Sequence, residues 1–169
     1  PYLSRLMSSD HAKLFVVLHT YGSHFSYRDR YPQEEGFFPI DHRYSGSKAD
    51  SLMLRNAYDN AIRQTDKFIT SVIDMLASGD RAASMLYVSD HGEDVFDDDR
   101  ERFLHSSPDV SYYQLHVPLL LWSSPSWREA HPHLFASARA NEREAISSNA
   151  VFHTLLELAG IRTPYRDDR

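Results

Sequence analysis

Asp90 and His91 stand side by side in the segment SDHGE at residues 89–93, directly after an apolar run. Carboxylate oxygen and imidazole nitrogen both bind zinc, and the chain has no cysteine, so any zinc would be held by histidine and carboxylate ligands. Gly92 would let the backbone turn so that both neighbours face one ion. The alternative is a helix cap, with Asp90 as the N-cap of a short helix and Glu93, three residues later, completing a capping box. The pattern alone is compatible with either.

Two further histidines could belong to the same site. His24 follows a Gly-Ser turn, and His105 lies in the segment FLHS at residues 103–106. Each by itself is typical of a surface or structural histidine. Both would nevertheless lie near the predicted sheet edge that carries Asp90 and His91, because polar groups that follow neighbouring strands meet there.

Apolar patterns predict the elements that would position these residues. Short apolar, β-branched runs predict buried strands, and apolar residues at spacings of three and four predict amphipathic helices. The long aromatic and charged stretch between the first strand and the first helix has no clear period and is expected to be a loop. The predicted strands cover residues 14–18, 83–88 and 117–122, and the predicted helices cover 51–77 and 145–159.

The order of these elements predicts an α/β fold with a mostly parallel central sheet flanked by helices. Sheets of that kind bind ligands beyond the carboxyl ends of their strands, where both polar clusters fall. No repeat or linker interrupts the chain, so residues 1–169 are expected to form a single domain. The last helix is expected to be capped by Ser147 or Ser148 and ended by Gly160.

The composition is that of a globular protein, with 41% hydrophobic and 25% charged residues. A formal net charge of -6 argues against nucleic acid as a partner. Ten histidines, several of them beside acidic residues, favour a metal site. No apolar run approaches the roughly 20 residues that span a bilayer.

Several short motifs, taken in order, resemble segments of the lipid A phosphoethanolamine transferases, a branch of the alkaline-phosphatase and sulfatase superfamily. The ordered set is specific and covers nearly the whole chain. In the segment that follows SDHGE, Ser106 replaces a glycine of the family. The motifs are LHTYGSH (residues 18–24), RYP (30–32), YDN (58–60), SDHGE (89–93), FLH (103–105), HVP (116–118) and HTLL (153–156).

The resemblance implies a role for each candidate residue. Asp90 and His91 would bind the catalytic zinc. His24 and His105 would be catalytic and substrate-binding residues that contact the phosphoryl group or a second zinc, so one or two Zn2+ ions are expected. In the family, a glutamate and the nucleophilic threonine precede the matched segment, and the nucleophile is therefore unknown for this chain.

The resemblance also implies an activity and a location. The enzyme would move phosphoethanolamine from phosphatidylethanolamine to a lipid A or glycan acceptor through a phosphothreonine. It would act at the periplasmic face of the bacterial inner membrane, which it would reach through segments absent from this chain. We expect the chain to be the carboxyl-terminal part of the catalytic domain, with a sheet incomplete on its N-terminal side. Alone, it is expected to bind zinc weakly and to turn over no substrate.

Two other interpretations stay open. The first is a sulfatase or a phosphoglycerol transferase of the same superfamily, which would share the Asp-His zinc motif but differ around the substrate. The GSH, RYP and YDN segments favour the phosphoethanolamine transferase over these enzymes. The second is a non-catalytic, lipid-binding relative that has kept the fold.

Overall fold

The computed structural model describes residues 2–41, 43–105 and 108–165. Ser106, which departs from the family glycine, and the last four residues of the predicted domain lie outside the described residues. Among the described helices, none is both long and apolar enough to cross a membrane. The helices are α1 (Tyr2–Met7), α2 (Ser51–Ala77), α3 (Tyr112–Leu115), α4 (Pro125–Ala130), α5 (Pro132–Ala140) and α6 (Ala150–Leu158), and the strands are β1 (Ser84–Val88), β2 (Asp94–Val95), β3 (Phe103–Leu104) and β4 (Leu119–Ser123).

Contacts divide the chain into two units. The first unit comprises the residues up to Met75 together with Ser89–Val117, and the second comprises Leu76–Val88 together with the residues from Pro118 onward. Each unit has its own sheet and its own buried residues. The single domain of residues 1–169 stays a prediction.

Helix α2 provides the apolar surface on which the first unit is built. Its apolar residues recur at helical spacing, as the sequence predicts, and the helix ends at Ala77, two residues before Gly79. Leu54, Ala57 and Ala61 are buried on one face of this helix. They form a hydrophobic cluster with residues from the loop and from β2, namely Tyr27, Tyr31 and Val95.

The long loop before α2 is held to the helix by a buried asparagine. Asn60 is 3% exposed, and its Oδ1 accepts hydrogen bonds from the backbone N–H groups of Phe37 and Phe38, each at 2.9 Å. Its Nδ2 donates to the Phe38 carbonyl at 2.9 Å and to the Tyr31 hydroxyl at 3.2 Å. A loop without regular hydrogen bonds needs such partners for its backbone groups. Three short 3-10 turns interrupt it, at Tyr27–Arg30, Gln33–Glu35 and Lys48–Asp50.

Both described sheets are antiparallel pairs. Strand β1 pairs with β4, with Ser84 opposite Ser123, and β2 pairs with β3, with Asp94 opposite Leu104. The predicted mostly parallel sheet is therefore wrong for the described strands. An apolar run reports that a strand is buried but carries no information about the direction of its partner. Strand β4 also begins later than predicted, because Pro118 has no N–H to donate to a ladder.

The predicted strand at residues 14–18 is not a strand in the structure. Phe15 and Val17 are 72% and 74% exposed. A strand forms only when a neighbouring strand takes up its backbone hydrogen bonds, and no described strand pairs with this segment.

In the second unit, Ser124 joins the sheet to a helix. Its hydroxyl accepts a hydrogen bond from the N–H of Trp127 at 3.2 Å, which caps α4, and another from the N–H of Ala83 at 3.0 Å. Trp127 is buried, at 5% exposure.

The last helix is shorter than predicted. It begins at Ala150, and its N-cap is Asn149 without a side-chain cap bond, so the predicted capping by Ser147 or Ser148 is wrong. Gly160 ends the helix as predicted, with a φ of +64° that suits glycine.

Candidate metal centre

The SDHGE segment leads into a strand and not into a helix. Residues 89–93 have no helical structure, and β2 starts at Asp94. Asp90 Oδ1 accepts a hydrogen bond from the adjacent N–H of His91 at 3.0 Å, which is a local turn contact. The capping-box alternative for Asp90 and Glu93 therefore fails.

Gly92 is required because another backbone segment passes very close to it. Its N–H donates to the carbonyl of Gln114 at 2.8 Å. A Cβ atom built on Gly92 would lie 2.0 Å from the Tyr113 carbonyl oxygen. Gly92 is not in the left-handed region of φ, so close approach, and not the predicted turn, explains this glycine.

The hairpin of β2 and β3 brings Glu93 next to His105. Asp94 is paired with Leu104, so the next pair along this antiparallel register is Glu93 with His105. Oε1 of Glu93 lies 2.6 Å from Nδ1 of His105. The strand register thus places the Glu93 carboxylate beside His105, although the two residues are twelve positions apart in the chain.

His91 completes a group of three possible metal ligands. Each of His91, Glu93 and His105 offers one ligand atom, and these atoms lie within 4.8 Å of one another. The rings of His91 and His105 are tilted against each other, with centroids 3.9 Å apart, and Nδ1 of His91 lies 3.9 Å from Oε1 of Glu93. Imidazole and carboxylate are the ligand types that zinc accepts in the absence of cysteine.

A buried tyrosine holds the second oxygen of Glu93. Tyr27 is 0% exposed, and its hydroxyl donates to Oε2 of Glu93 at 3.2 Å. Burial raises the pKa of the Tyr27 hydroxyl far above its ordinary value, and the nearby Glu93 carboxylate raises it further. Tyr27 therefore stays protonated as a donor at neutral pH.

His24 lies on the exposed side of this group. Its ring centroid is 6.5 Å from that of His105. Its carbonyl accepts a hydrogen bond from Nε of Arg30 at 2.9 Å, and the Arg30 guanidinium lies over the Tyr21 ring at 4.5 Å from the centroid. The His24 ring thus lies near that of His105, and the Arg30 side chain contacts His24 and Tyr21.

The hydrogen bonds of the histidines select one tautomer of each neutral ring. Nδ1 of His24 contacts the Phe25 carbonyl at 2.5 Å, and Nδ1 of His91 contacts the Gly92 carbonyl at 2.9 Å. Since a carbonyl oxygen can only accept, both Nδ1 atoms carry the proton and both Nε2 atoms keep the lone pair. Nε2 of His91 lies 3.9 Å from Oδ2 of Asp90.

A buried ionic network supports the hairpin that carries the site. The Asp94 side chain is 2% exposed and accepts a hydrogen bond from Nε2 of Gln114 at 2.5 Å. Nε of Arg102 lies 3.8 Å from the same carboxylate, and Nη2 of Arg102 donates to Asp98 at 2.9 Å. These contacts tie β2, the hairpin loop and α3 together.

The structure places all four predicted site residues in the first unit. Those residues are His24, Asp90, His91 and His105. Asp90 lies at the edge of the site. Its side chain is 87% exposed, and its carboxylate is not part of the group formed by His91, Glu93 and His105. The proposed roles of these residues stay predictions.

Sequence reasoning missed Glu93 and Tyr27 as members of the site. Glu93 was assigned only to a capping box. Glu93 could have been identified from its pairing with His105 across a hairpin. That pairing depends on the strand register, which the sequence does not reveal. Nothing in the pattern around Tyr27 separates it from an ordinary core tyrosine.

Comparisons with known proteins match this arrangement to one family. The Sulfatase family matches residues 2–161. The phosphoethanolamine transferase CptA of Salmonella typhimurium is 35% identical over 152 residues, covering 88% of this chain and 26% of CptA. The Kdo(2)-lipid A phosphoethanolamine 7''-transferase of the same organism is 31% identical over 165 residues, covering 94% of this chain and 28% of that protein. This chain thus spans about a quarter of the length of these curated relatives.

A solved structure supports the same relationship. The C-terminal periplasmic domain of EcEptC from Escherichia coli, in complex with Zn, aligns with a TM-score of 0.84 at 28% identity, covering 98% of this chain and 46% of that chain. The α/β sulfatase-like fold and the resemblance to phosphoethanolamine transferases are confirmed by these matches. The chain belongs to the sulfatase family.

Proposed function

We propose that this chain is part of a zinc-dependent phosphoethanolamine transferase. It would move phosphoethanolamine from phosphatidylethanolamine to a lipid A or glycan acceptor at the periplasmic face of the bacterial inner membrane. Membrane attachment would come through segments outside this chain. The observation that carries the proposal is the group of His91, Glu93 and His105, within 4.8 Å, in a chain whose relatives are named phosphoethanolamine transferases.

The residues fit zinc in two places. The free Nε2 of His91 faces the Asp90 carboxylate, and this pair would hold the catalytic ion. Nearby, Glu93 is bonded to Nδ1 of His105, so the Nε2 atoms of His105 and His24 could hold a second ion or serve the substrate. When bound, zinc would neutralise charge on the phosphoryl group and lower the pKa of a coordinated hydroxyl. One or two ions are compatible with this donor set.

The two remaining histidines would act on the phosphoryl group. In its protonated form, Nε2 of His24 would donate a hydrogen bond to a phosphoryl oxygen, because its Nδ1 is already bonded to a carbonyl. Nε2 of His105 can take a proton from an attacking hydroxyl, and the adjacent Glu93 carboxylate then stabilises the charged ring. Phosphoryl transfer depends mainly on positioning and electrostatics, so these few groups suffice.

We propose that the nucleophile is a threonine supplied by a part of the protein outside this chain. Its oxygen would form the new bond to phosphorus while the diacylglycerol oxygen leaves and takes up a proton. The acceptor hydroxyl or phosphate oxygen would then displace the threonine oxygen in a second transfer. The same histidines would serve both steps, since each needs one proton moved at an oxygen.

The test uses the intact protein in vesicles that contain headgroup-labelled phosphatidylethanolamine and lipid A. We expect labelled lipid A by mass spectrometry, and none from an Asp90→Asn, His91→Ala double variant. Glu101→Gln, an exposed acidic residue of the same unit, is the matched control and should keep full activity. Transfer of phosphoglycerol, or hydrolysis of a sulfate ester without phosphoethanolamine transfer, would overturn the proposal in favour of another superfamily activity.

A further inference from the structure

Glu93 makes a separate hydrogen bond with each of its two carboxylate oxygens. Oε1 lies 2.6 Å from Nδ1 of His105, and Oε2 accepts from the Tyr27 hydroxyl at 3.2 Å. The Glu93 side chain is only 5% exposed, so water cannot easily replace either partner. A buried carboxylate bonded at both oxygens is fixed in orientation.

Tyr27 is itself fixed by the core of the first unit. Its ring packs edge-on against Phe25 and Tyr58, with centroids 5.4 Å and 4.9 Å away. It belongs to the same buried cluster as Leu54 of helix α2. The hydroxyl therefore cannot turn away from Glu93 without disturbing the core.

The Glu93 contact decides what His105 offers to a substrate. A carboxylate accepts hydrogen bonds, so the neutral His105 ring carries its proton on Nδ1 and keeps the lone pair on Nε2. The His91 ring, at a centroid distance of 3.9 Å, limits rotation of His105 from the other side. A histidine without such contacts exchanges tautomers and rotates freely.

We propose that Glu93 is a positioning residue that presents the lone pair on Nε2 of His105 to the hydroxyl that attacks the phosphoryl group, and that Tyr27 holds Glu93 for this purpose. This inference rests on the proposed function for its catalytic consequence. Tyr27 packs against the buried face of α2, its hydroxyl bonds to Glu93, and Glu93 bonds to His105. The packing of the first unit therefore restricts the position of Nε2 of His105.

Kinetics of the intact protein give the first test. Loss of a contact that orients a metal-binding histidine typically lowers metal affinity or activity about 10–100-fold, and we expect the same range for His105. We expect Glu93→Ala to lower kcat by an amount near the upper end of that range. Glu93→Gln keeps one accepting oxygen and should lower kcat by an amount near the lower end. KM for the donor lipid should change little. Tyr27→Phe, which keeps the buried ring, should give a smaller fall in kcat than Glu93→Gln.

A double variant separates positioning from other roles. If Glu93 acts through His105, then adding Glu93→Ala to His105→Ala should cause no further loss of activity. Bound zinc should be unchanged in Glu93→Gln. Full additivity of the two substitutions, or loss of zinc from Glu93→Gln with the His105 tautomer unchanged, would overturn the proposal and make Glu93 a metal ligand.

The tautomer of His105 can be measured by NMR without an activity assay. In the zinc-free intact protein labelled with 15N at histidine, at a pH where imidazole is neutral, the spectrum should show the proton on Nδ1 of His105. Glu93→Ala should shift this ring toward exchange between both tautomers, while Glu101→Gln leaves it unchanged. The same His105 spectrum in wild type and Glu93→Ala would refute the positioning role. A wild-type protein without phosphoethanolamine transfer would refute only the proposed function.

Discussion

The carboxylate of Asp90 lies 3.9 Å from Nε2 of His91, the ring nitrogen left free when Nδ1 bonds to a backbone carbonyl. We therefore expect Asp90→Asn to lower zinc affinity by more than about 10-fold, the lower end of the effect seen for supporting contacts alone. The fold should be unchanged because the Asp90 side chain is 87% exposed. Calorimetry with zinc and circular dichroism would measure the two properties. Asp99→Asn, an exposed aspartate nearby, is the control, and equal affinity in both variants would exclude Asp90 as a ligand.

Gly92→Ala should destabilise the first unit. The new methyl group would lie 2.0 Å from the Tyr113 carbonyl oxygen, and backbone cannot move aside as easily as the end of a side chain. Overpacking of this kind typically lowers the free energy of unfolding by about 1–3 kcal/mol. Urea unfolding would measure the change. Gly46→Ala is the matched control, since its Cβ would meet nothing closer than Phe103 at 3.7 Å. Equal stability of the two variants would contradict the close approach.

The stability of the protein should fall at alkaline pH because of Tyr27. Its pKa is raised in the folded state by burial and by Glu93, whereas in the unfolded chain the hydroxyl ionises near pH 10. Below about pH 10, Tyr27 is protonated in both states and its full contribution to the free energy of unfolding is present. Above about pH 10, the Tyr27 hydroxyl loses its proton in the unfolded chain but keeps it in the folded chain. The free energy of unfolding should then fall by up to about 1.4 kcal/mol per pH unit.

The control for this effect is Tyr27→Phe, which lacks the titrating group. Unfolding curves on both sides of pH 10 should show a steeper loss of stability in wild type than in the variant. Parallel curves for the two proteins would show that Tyr27 ionises as readily in the folded chain as in the unfolded one.

Asn60→Ala should release the loop that precedes α2. The substitution removes the acceptor for the N–H groups of Phe37 and Phe38 and leaves these partly buried donors unpaired. An unsatisfied buried group costs about 1–3 kcal/mol of stability. Thermal unfolding and hydrogen exchange at Phe37 and Phe38 would detect the loss. Asn56→Ala, which removes one exposed bond to the Pro39 carbonyl, should have a smaller effect; a larger one would contradict this assignment.

Arg102→Met should strongly destabilise the hairpin of β2 and β3. The Arg102 side chain is 9% exposed and lies between the carboxylates of Asp94 and Asp98. Removing it leaves the buried Asp94 with Gln114 as its hydrogen-bond donor, and breaking a buried pair in this way typically costs about 3–5 kcal/mol.

Arg100→Met provides the comparison, because Arg100 also pairs with Asp98 but is exposed. Its loss should leave the denaturation midpoint within measurement error of wild type. A similar loss of stability in both arginine variants would mean that the pairing with Asp98, and not the burial beside Asp94, matters.

Much of the local structure could be predicted from the sequence. Helix α2 matches residues 51–77 because a long period of apolar residues determines which face is buried whatever lies opposite. Gly160 ends the last helix because a residue at positive φ favours glycine in any context. His91 and His105 were recognised as site candidates because their residue types restrict the chemistry that they can do.

The parallel sheet and the strand at residues 14–18 could not be judged in this way. Strand pairing joins distant residues, and an apolar run is equally compatible with a parallel, an antiparallel or an absent partner. Only the folded chain shows that β1 pairs antiparallel with β4 and that Phe15 stays exposed.

The sequence by itself therefore determined the family motifs, the main helices and the donor types of the candidate site. Tertiary structure alone decided that Glu93, and not only Asp90, faces the histidines. A one-residue change of register in the β2–β3 hairpin would turn Glu93 to the opposite face of the strand and away from His105. That register depends on the packing of Tyr27, Val95 and the buried Asp94 network, which no local pattern records.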